Sequence, residues 1–213
     1  MTTLQDLLIQ ANSYLDLAAE VPSGDDLTVR INYAQQAVNE WASTYKWRQL
    51  KSKNSYFVTG ATVSLPDNFR ELLSPPVDTN KHEYNEIPLE NSQYVDSSER
   101  YCYVDGSQLA GHSLIMTPLA SGASISVAWQ RYPSNMATLS DVCEVPDPEY
   151  VKWKIISYTL QSRSDERFPI VDAEANRVLS NMIKRESVRL PGGKNFTPKS
   201  GSSAWKIGTP RGR

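Results

Sequence analysis

Residues 26–50 read DLTVRINYAQQAVNEWASTYKWRQL, and the reading of this stretch decides the fold. Leu27, Ile31, Ala34, Val38, Trp41 and Tyr45 recur at steps of four, three, four, three and four, which places them on one stripe of a helix with 3.6 residues per turn. Asp26 to Leu50 is therefore expected to form one long amphipathic helix. An isolated helix of this length is marginal in water, so the stripe must be covered, at about 1.5 to 3 kcal/mol for each large apolar side chain fully buried. The cluster Tyr45-Lys46-Trp47-Arg48 widens the apolar face near the end of the stretch and reads as core or interface rather than as a stacking site for a ligand.

The cover comes from both directions along the chain. Upstream, Thr3-Leu4-Gln5-Asp6 has the form of a capping box, and Leu4, Leu7, Leu8, Ala11, Leu15 and Ala18 follow at helical spacing as far as about Glu20. Val21-Pro22-Ser23-Gly24-Asp25 then reads as a breaker and a capping acid, a short turn that returns the chain antiparallel. Downstream the pattern changes to short β segments. Ser55 to Thr59 and Thr62 to Leu65 flank Gly60-Ala61 and read as a hairpin, and Leu65 to Leu73 as a strand end, a proline turn and one helical turn. Pro75-Pro76 to Asn85 reads as a surface loop. Further strands are expected at Tyr101 to Val104, ending in an Asp105-Gly106 turn, at Leu114 to Met116 and at Ser124 to Arg131. In the last, Ile125, Val127 and Trp129 alternate with Ser126, Ala128 and Gln130, as a half-buried antiparallel strand requires.

Helical spacing returns after Pro146-Asp147-Pro148-Glu149, where Asp147 can cap and Pro148 can take the first helical position. Val151, Trp153, Ile155, Ile156, Tyr158 and Leu160 cover most of that helix's circumference, which marks it as central and buried. Phe168-Pro169 interrupts, and a last helix from about Ile170 to Ser187 carries Val171, Ala175, Val178, Leu179, Met182 and Ile183 on one side. The expected fold class is α+β: a four-helix bundle of two N-terminal and two C-terminal helices, an inserted small antiparallel β domain, and an extended C-terminal tail. The corresponding division is 1–53 with 134–187 for the bundle, 54–133 for the β domain and 188–213 for the tail.

At 213 residues the chain can bury a proper core. Its two cysteines, Cys102 and Cys143, form no C-x-x-C, and no charged-then-apolar leader precedes them, which argues for a reducing cytoplasm and against a disulfide framework or structural zinc. The apolar runs fall short of the roughly 18 residues that span a bilayer, so no membrane partner is expected. Asn195-Phe196-Thr197 matches a glycosylation sequon that this context leaves unused. The net charge of -2 hides an asymmetry: from Ser187 onward six basic residues stand without an acidic one, whereas the rest carries 16 basic against 24 acidic residues.

That tail also loses all periodicity. Pro191-Gly192-Gly193 stops the last helix, and Phe196, Trp205 and Ile207 are isolated among Gly, Ser, Lys and Pro. Ordering it costs about 1 to 2 kcal/mol per residue, more than three apolar side chains offset, so it is expected to order only on a partner, with Trp205 as anchor. The expected partner-binding residues are Arg189, Lys194, Phe196, Lys199, Trp205, Lys206, Ile207, Arg211 and Arg213.

No catalytic constellation emerges. His82 and His112 stand alone without H-x-x-x-H or H-E-x-x-H spacing, and Cys143 lacks a recognisable base and oxyanion device. Neither phosphate-binding glycine motif occurs; Asp25-Asp26 and Asp165-Glu166 read as helix-end charges. No enzyme activity, cofactor or metal is expected. The alternative the tail keeps open is a small nucleic-acid-binding protein: six positive charges would give salt-dependent affinity and Trp205 could stack on a base, although the acidic body opposes close approach of DNA.

The order of several motifs carries a resemblance. Asn39-Glu40-Trp41 through Trp47-Arg48, then Leu65-Pro66-Asp67-Asn68-Phe69, Tyr101-Cys102-Tyr103-Val104-Asp105-Gly106, Met116-Thr117-Pro118, Arg131-Tyr132-Pro133 and Val145-Pro146-Asp147 succeed one another as in the head-to-tail adaptor (connector) proteins of tailed bacteriophages. The chain resembles that family from Met1 to about Ser187. The resemblance implies a virion structural protein of the neck, made in the host cytoplasm, whose copies form a dodecameric ring under the portal protein. Such a ring extends the DNA channel for genome ejection, lets DNA pass without sequence-specific binding, and offers a platform to a tail or nozzle protein and to tail fibres. It also implies that the C-terminal tail docks on the portal. Another phage neck or tail-completion protein is the nearest alternative.

Overall fold

The structure, a computed structural model, describes residues 1–188 apart from 16, 59, 61, 97 and 119–121. The described chain is mixed α+β, with helices at both ends and two small sheets between them.

Helix α1 (Leu4–Tyr14) begins as its sequence requires: the Thr3 hydroxyl accepts from the Asp6 backbone N–H at 3.2 Å and the Asp6 carboxylate accepts from the Thr3 backbone N–H at 2.9 Å. It stops at Tyr14 rather than near Glu20. The Leu15 N–H is shared between the Ala11 and Asn12 carbonyls, Leu17 N–H also returns to Asn12, and the Asn12 amide donates to the Glu20 carbonyl at 2.9 Å. These bonds curl the chain back, so Ala18 is not on the helix although its spacing fits.

Helix α2 (Gly24–Thr44) starts earlier than expected, with Ser23 rather than Asp25 at the cap position, and ends before Leu50. The cause of the early end is local. The Thr44 hydroxyl and the Trp47 indole N–H both donate to the Trp41 carbonyl at 2.7 Å, the acceptor that the next helical N–H would use. Tyr45 turns extended, and Trp47 folds back to stack on Trp41 with ring centroids 5.2 Å apart, while Tyr45 meets Trp47 edge-on. The aromatic cluster is thus core, and Arg48–Leu50 forms a separate 3-10 turn.

The strands are β1 (Lys51–Phe57), β2 (Thr62–Ser64), β3 (Phe69–Leu72), β4 (Val77–Asp78), β5 (Asn85–Glu86), β6 (Tyr101–Ser107), β7 (Gly111–Thr117) and β8 (Ser124–Arg131). The expected hairpin around Gly60 does not form. β1 pairs antiparallel with β8 from Lys51 opposite Gln130 to Phe57 opposite Ser124, whereas β2 pairs with β7 in the other sheet. Val58, buried and bonded through its N–H to Ala123 and through its carbonyl to Gly122, keeps the chain on β8 before it crosses over. Residues 69–72 form a strand on the far side of β8 from β1, not a helical turn. β4 pairs with β8 on that same side, and buried Tyr84 lies within what reads as surface loop. Asp105-Gly106 is not the turn: β6 continues to Ser107 and the turn is 108–110. Gly106 sits at φ +105°, where a Cβ would meet the Gly111 carbonyl oxygen at 2.1 Å, so only glycine fits.

The first sheet thus runs β1-β8 and then β3 and β4; the second runs β2-β7-β6-β5, with β5 parallel to β6. Ile125, Val127 and Trp129 point inward as their alternation requires, joining Phe69, Leu114 and Met116 in a core of the β region.

Helix α3 (Glu149–Ser162) follows Pro148, which has helical dihedrals; the Asp147 side chain does not cap it and lies 3.8 Å from Arg185 instead. Val151, Ile155, Ile156 and Leu160 are completely buried and Trp153 and Tyr158 half-buried, in keeping with a central helix that touches α1, α2 and the last helix, α4. α4 (Phe168–Val188) takes Pro169 into its first turn, where a missing N–H costs nothing, and so begins before Ile170. Val171, Ala175, Val178 and Met182 face the core it shares with α1, α2 and α3. No helix among the described residues is long and apolar enough to cross a membrane.

Candidate partner-binding surfaces

The nine tail residues expected to bind a partner, Arg189, Lys194, Phe196, Lys199, Trp205, Lys206, Ile207, Arg211 and Arg213, lie outside the described residues. What the structure brings together is a joint between helices and sheets, a cleft beside it, and two sheet flanks of opposite charge.

The joint is built on Arg131, the last residue of β8. Its guanidinium donates to both carboxylate oxygens of Glu144 at 3.1 and 3.2 Å, to the Gln49 carbonyl at 3.3 Å and to the Tyr132 carbonyl at 3.2 Å. Glu144 also accepts the Ser134 hydroxyl at 2.7 Å and its backbone N–H at 3.2 Å. Burial pushes the Glu144 carboxyl up, but the hydrogen bonds from Ser134 and Arg131 outweigh it and hold the group below the ordinary glutamate value. Two further contacts cross the same boundary. Arg70 on β3 donates to the Ala42 carbonyl near the end of α2 at 2.8 Å, and Lys46 pairs with Glu71 at 3.2 Å.

Beside the joint lies a cleft of about 470 Å³ lined by Gln35, Asn39, Ser43, Arg70, Tyr132 and Asn135 among others. Its wall is mostly amide and hydroxyl, and the Arg70 cation is already engaged by the Ala42 carbonyl. This lining can offer hydrogen bonds to a polar surface.

The groups most able to do chemistry are held apart. His82 bonds Asp78 through Nδ1 at 2.9 Å, and His112 lies on β7 against Phe69 with its Nδ1 buried and without a hydrogen-bond partner among the described residues. Cys102 is buried in the β core, where burial pushes its thiol up to about 12; Cys143, in the helical core, is pushed up to about 11. Both are thiols at neutral pH, the opposite of the activated thiolate that nucleophilic chemistry uses. No three His, Cys, Asp or Glu residues among those described converge as a metal site.

Inside the helical core, Lys154 donates to Asp172 at 2.9 Å and lies 3.6 Å from Glu40, tying α3 to α4 and α2. Burial raises the Asp172 carboxyl, and the bonds from Lys154, Ser157 and Asn176 more than reverse it, leaving it below the usual aspartate range. Arg30 is buried between Asp26 and Asn12, each 3.4 Å away.

Sequence reasoning missed the joint because its partners, Gln49, Arg131 and Glu144, are far apart in sequence. It missed the flanks because strand order is not written locally; the one available signal was the segregation of charge between residues 41–66 and 83–99. No family model matches the chain, and no curated protein matches it.

Proposed function

We propose that the chain is a structural head-to-tail adaptor of a tailed bacteriophage virion. In this reading its four α-helices form one bundle, residues 54–133 are a β domain inserted between the helix pairs, and residues 188–213 extend to a docking site on the portal. Copies form a dodecameric ring in the neck that lengthens the DNA channel and serves as the platform for a tail or nozzle protein and for tail fibres.

The observation that carries the reading is the arrangement of cores. Helices from the two ends of the chain share one buried cluster, and the strands between them have a second cluster of their own. This is the helix, helix, β, helix, helix order that the motif succession implies for an adaptor. The knitted joint at Arg131 and Glu144 supports it, since a subunit that transmits load between head and tail needs its two parts fixed to each other. An acidic body repels DNA sliding past it, and a basic tail without apolar periodicity suits docking that occurs only once the portal surface exists.

The test is a chain truncated after Ser187. It is expected to keep the helical circular dichroism and cooperative unfolding of the full chain and to fail to join portal-bearing particles of the same phage. Normal incorporation of the truncated chain would remove the portal-docking role.

A further inference from the structure

Charge is sorted between two opposite edges of the β region. From Trp41 to Pro66 the sequence holds Lys46, Arg48, Lys51 and Lys53 and no acidic residue; from Glu83 to Glu99 it holds five acidic residues and no lysine or arginine. The strand order puts Lys51 and Lys53 on one flank and the acidic block on the other, where Lys46 also lies, paired with Glu71 of β3. β1 is the outer strand of its sheet, with β3 and β4 on the other side of β8, and β2 and β5 are the two outer strands of the second sheet. The crossover at Val58 keeps β1 and β2 on one flank, while the bridge between Val77 and Glu83 and the bond from Tyr84 N–H to the Pro76 carbonyl keep β4 and β5 on the other.

Each flank also exposes apolar surface beside its charge. On β1, Phe57 is 72% exposed on the same strand face as Lys51 and Lys53; opposite, Leu89 and Tyr94, the latter 79% exposed, flank Glu90 just beyond β5. β1 is seven residues long and, among the described residues, is paired with a strand along one side only, so its outer N–H and C=O groups have no strand partner there.

We propose that the occupant of the β1 flank is a second copy of this chain, seated through its segment 83–99, so that Lys51 and Lys53 face Glu83 and Glu86 of the next copy. Two different patches meeting head to tail make a heterologous interface, which closes into a ring when the rotation per subunit divides the circle. Closure as a ring rests on the adaptor reading; the contact itself does not.

The experiment uses the full chain carrying Lys53→Cys and Glu86→Cys under mild oxidation, the native cysteines being buried. A ladder of covalent multimers is expected from the double variant and none from either single one. In that double-cysteine chain, Lys51→Glu should reduce the ladder about tenfold, because facing like charges suppress pairing, and adding Glu83→Lys should restore it. Self-linking of Lys53→Cys alone would replace the proposal with symmetric edge pairing. Association unchanged by charge reversal, or not restored by the double reversal, would overturn it and leave the lysines as guards against edge aggregation. A chain that ladders as expected yet never joins portal-bearing particles would keep this interface and reject the adaptor role. Incorporation without the ladder would do the reverse.

Discussion

The helical region and the β region solve the burial problem differently. Among the described residues the helical core holds twenty-four buried apolar side chains and the β core twelve. α3 is packed against α1, α2 and α4, whereas β1 has β8 on one side and, among the described residues, no strand on the other. Helices satisfy their own backbone and hide their sides; sheets satisfy each other and leave edges. The lesson is a division of labour, in which the helices bury the larger core and the β region keeps the strand edge and the charge on which the proposed self-contact rests.

The largest effect that would test this division is removal of the stacked tryptophans' anchor. Trp41→Ala should cost about 3 to 5 kcal/mol and destabilise the whole molecule, because the Trp41 ring is completely buried in the helical core and stacks on Trp47. Phe69→Ala, an equally buried aromatic in the β core, should cost a similar amount but show it locally, as faster amide exchange in the strands with α3 still protected. Equal loss of protection everywhere in both variants would make the two cores one cooperative unit.

A smaller effect is expected where the regions are fastened. Arg131→Ala or Glu144→Ala should each lower stability by about 2 kcal/mol, the scale of hydrogen bonds to a charged partner that is three-quarters buried. The double variant should cost well under the sum, since each change alone leaves the other charge unpaired. Additive losses would mean that the pair does not couple the two regions.

The smallest effect is in acid. Glu144 and Asp172 are both held below their ordinary values in the folded chain, so the folded state binds fewer protons than the unfolded state near those values. Their contribution is complete above about pH 4.5 and is lost as pH falls through the lowered folded values. Urea midpoints measured down from neutral pH should fall on that limb, and Glu144→Gln should flatten it.

Much of this was legible from residues and their spacing, and the failures have specific causes. Thr3 and Asp6 announced their capping box, Ile125, Val127 and Trp129 their strand, and residues 151–160 a helix buried nearly all round. Leu15 and Ala18 continued a helical spacing that the Asn12 side chain cuts off by capturing the Glu20 carbonyl. Phe69 and Leu72, three apart, imitate a helical turn, but β3 is bulged where it pairs with β8 and so buries both ends. Gly60 suggested a hairpin because a turn signal is local, whereas the partner of β1 is chosen by β8, more than sixty residues away. Of the candidate surfaces, the charge blocks were visible in the sequence and their placement on opposite flanks was not.

The measurement that most directly tests the adaptor reading is the native mass of the purified full-length chain, alone and after mixing with portal-bearing particles from the same phage. A monomer or short head-to-tail oligomer is expected in solution, closing into a ring of twelve on the portal, the stoichiometry the motif resemblance implies. A small closed oligomer that ignores the portal and instead retards short DNA in a salt-dependent way would contradict it and favour a nucleic-acid-binding role.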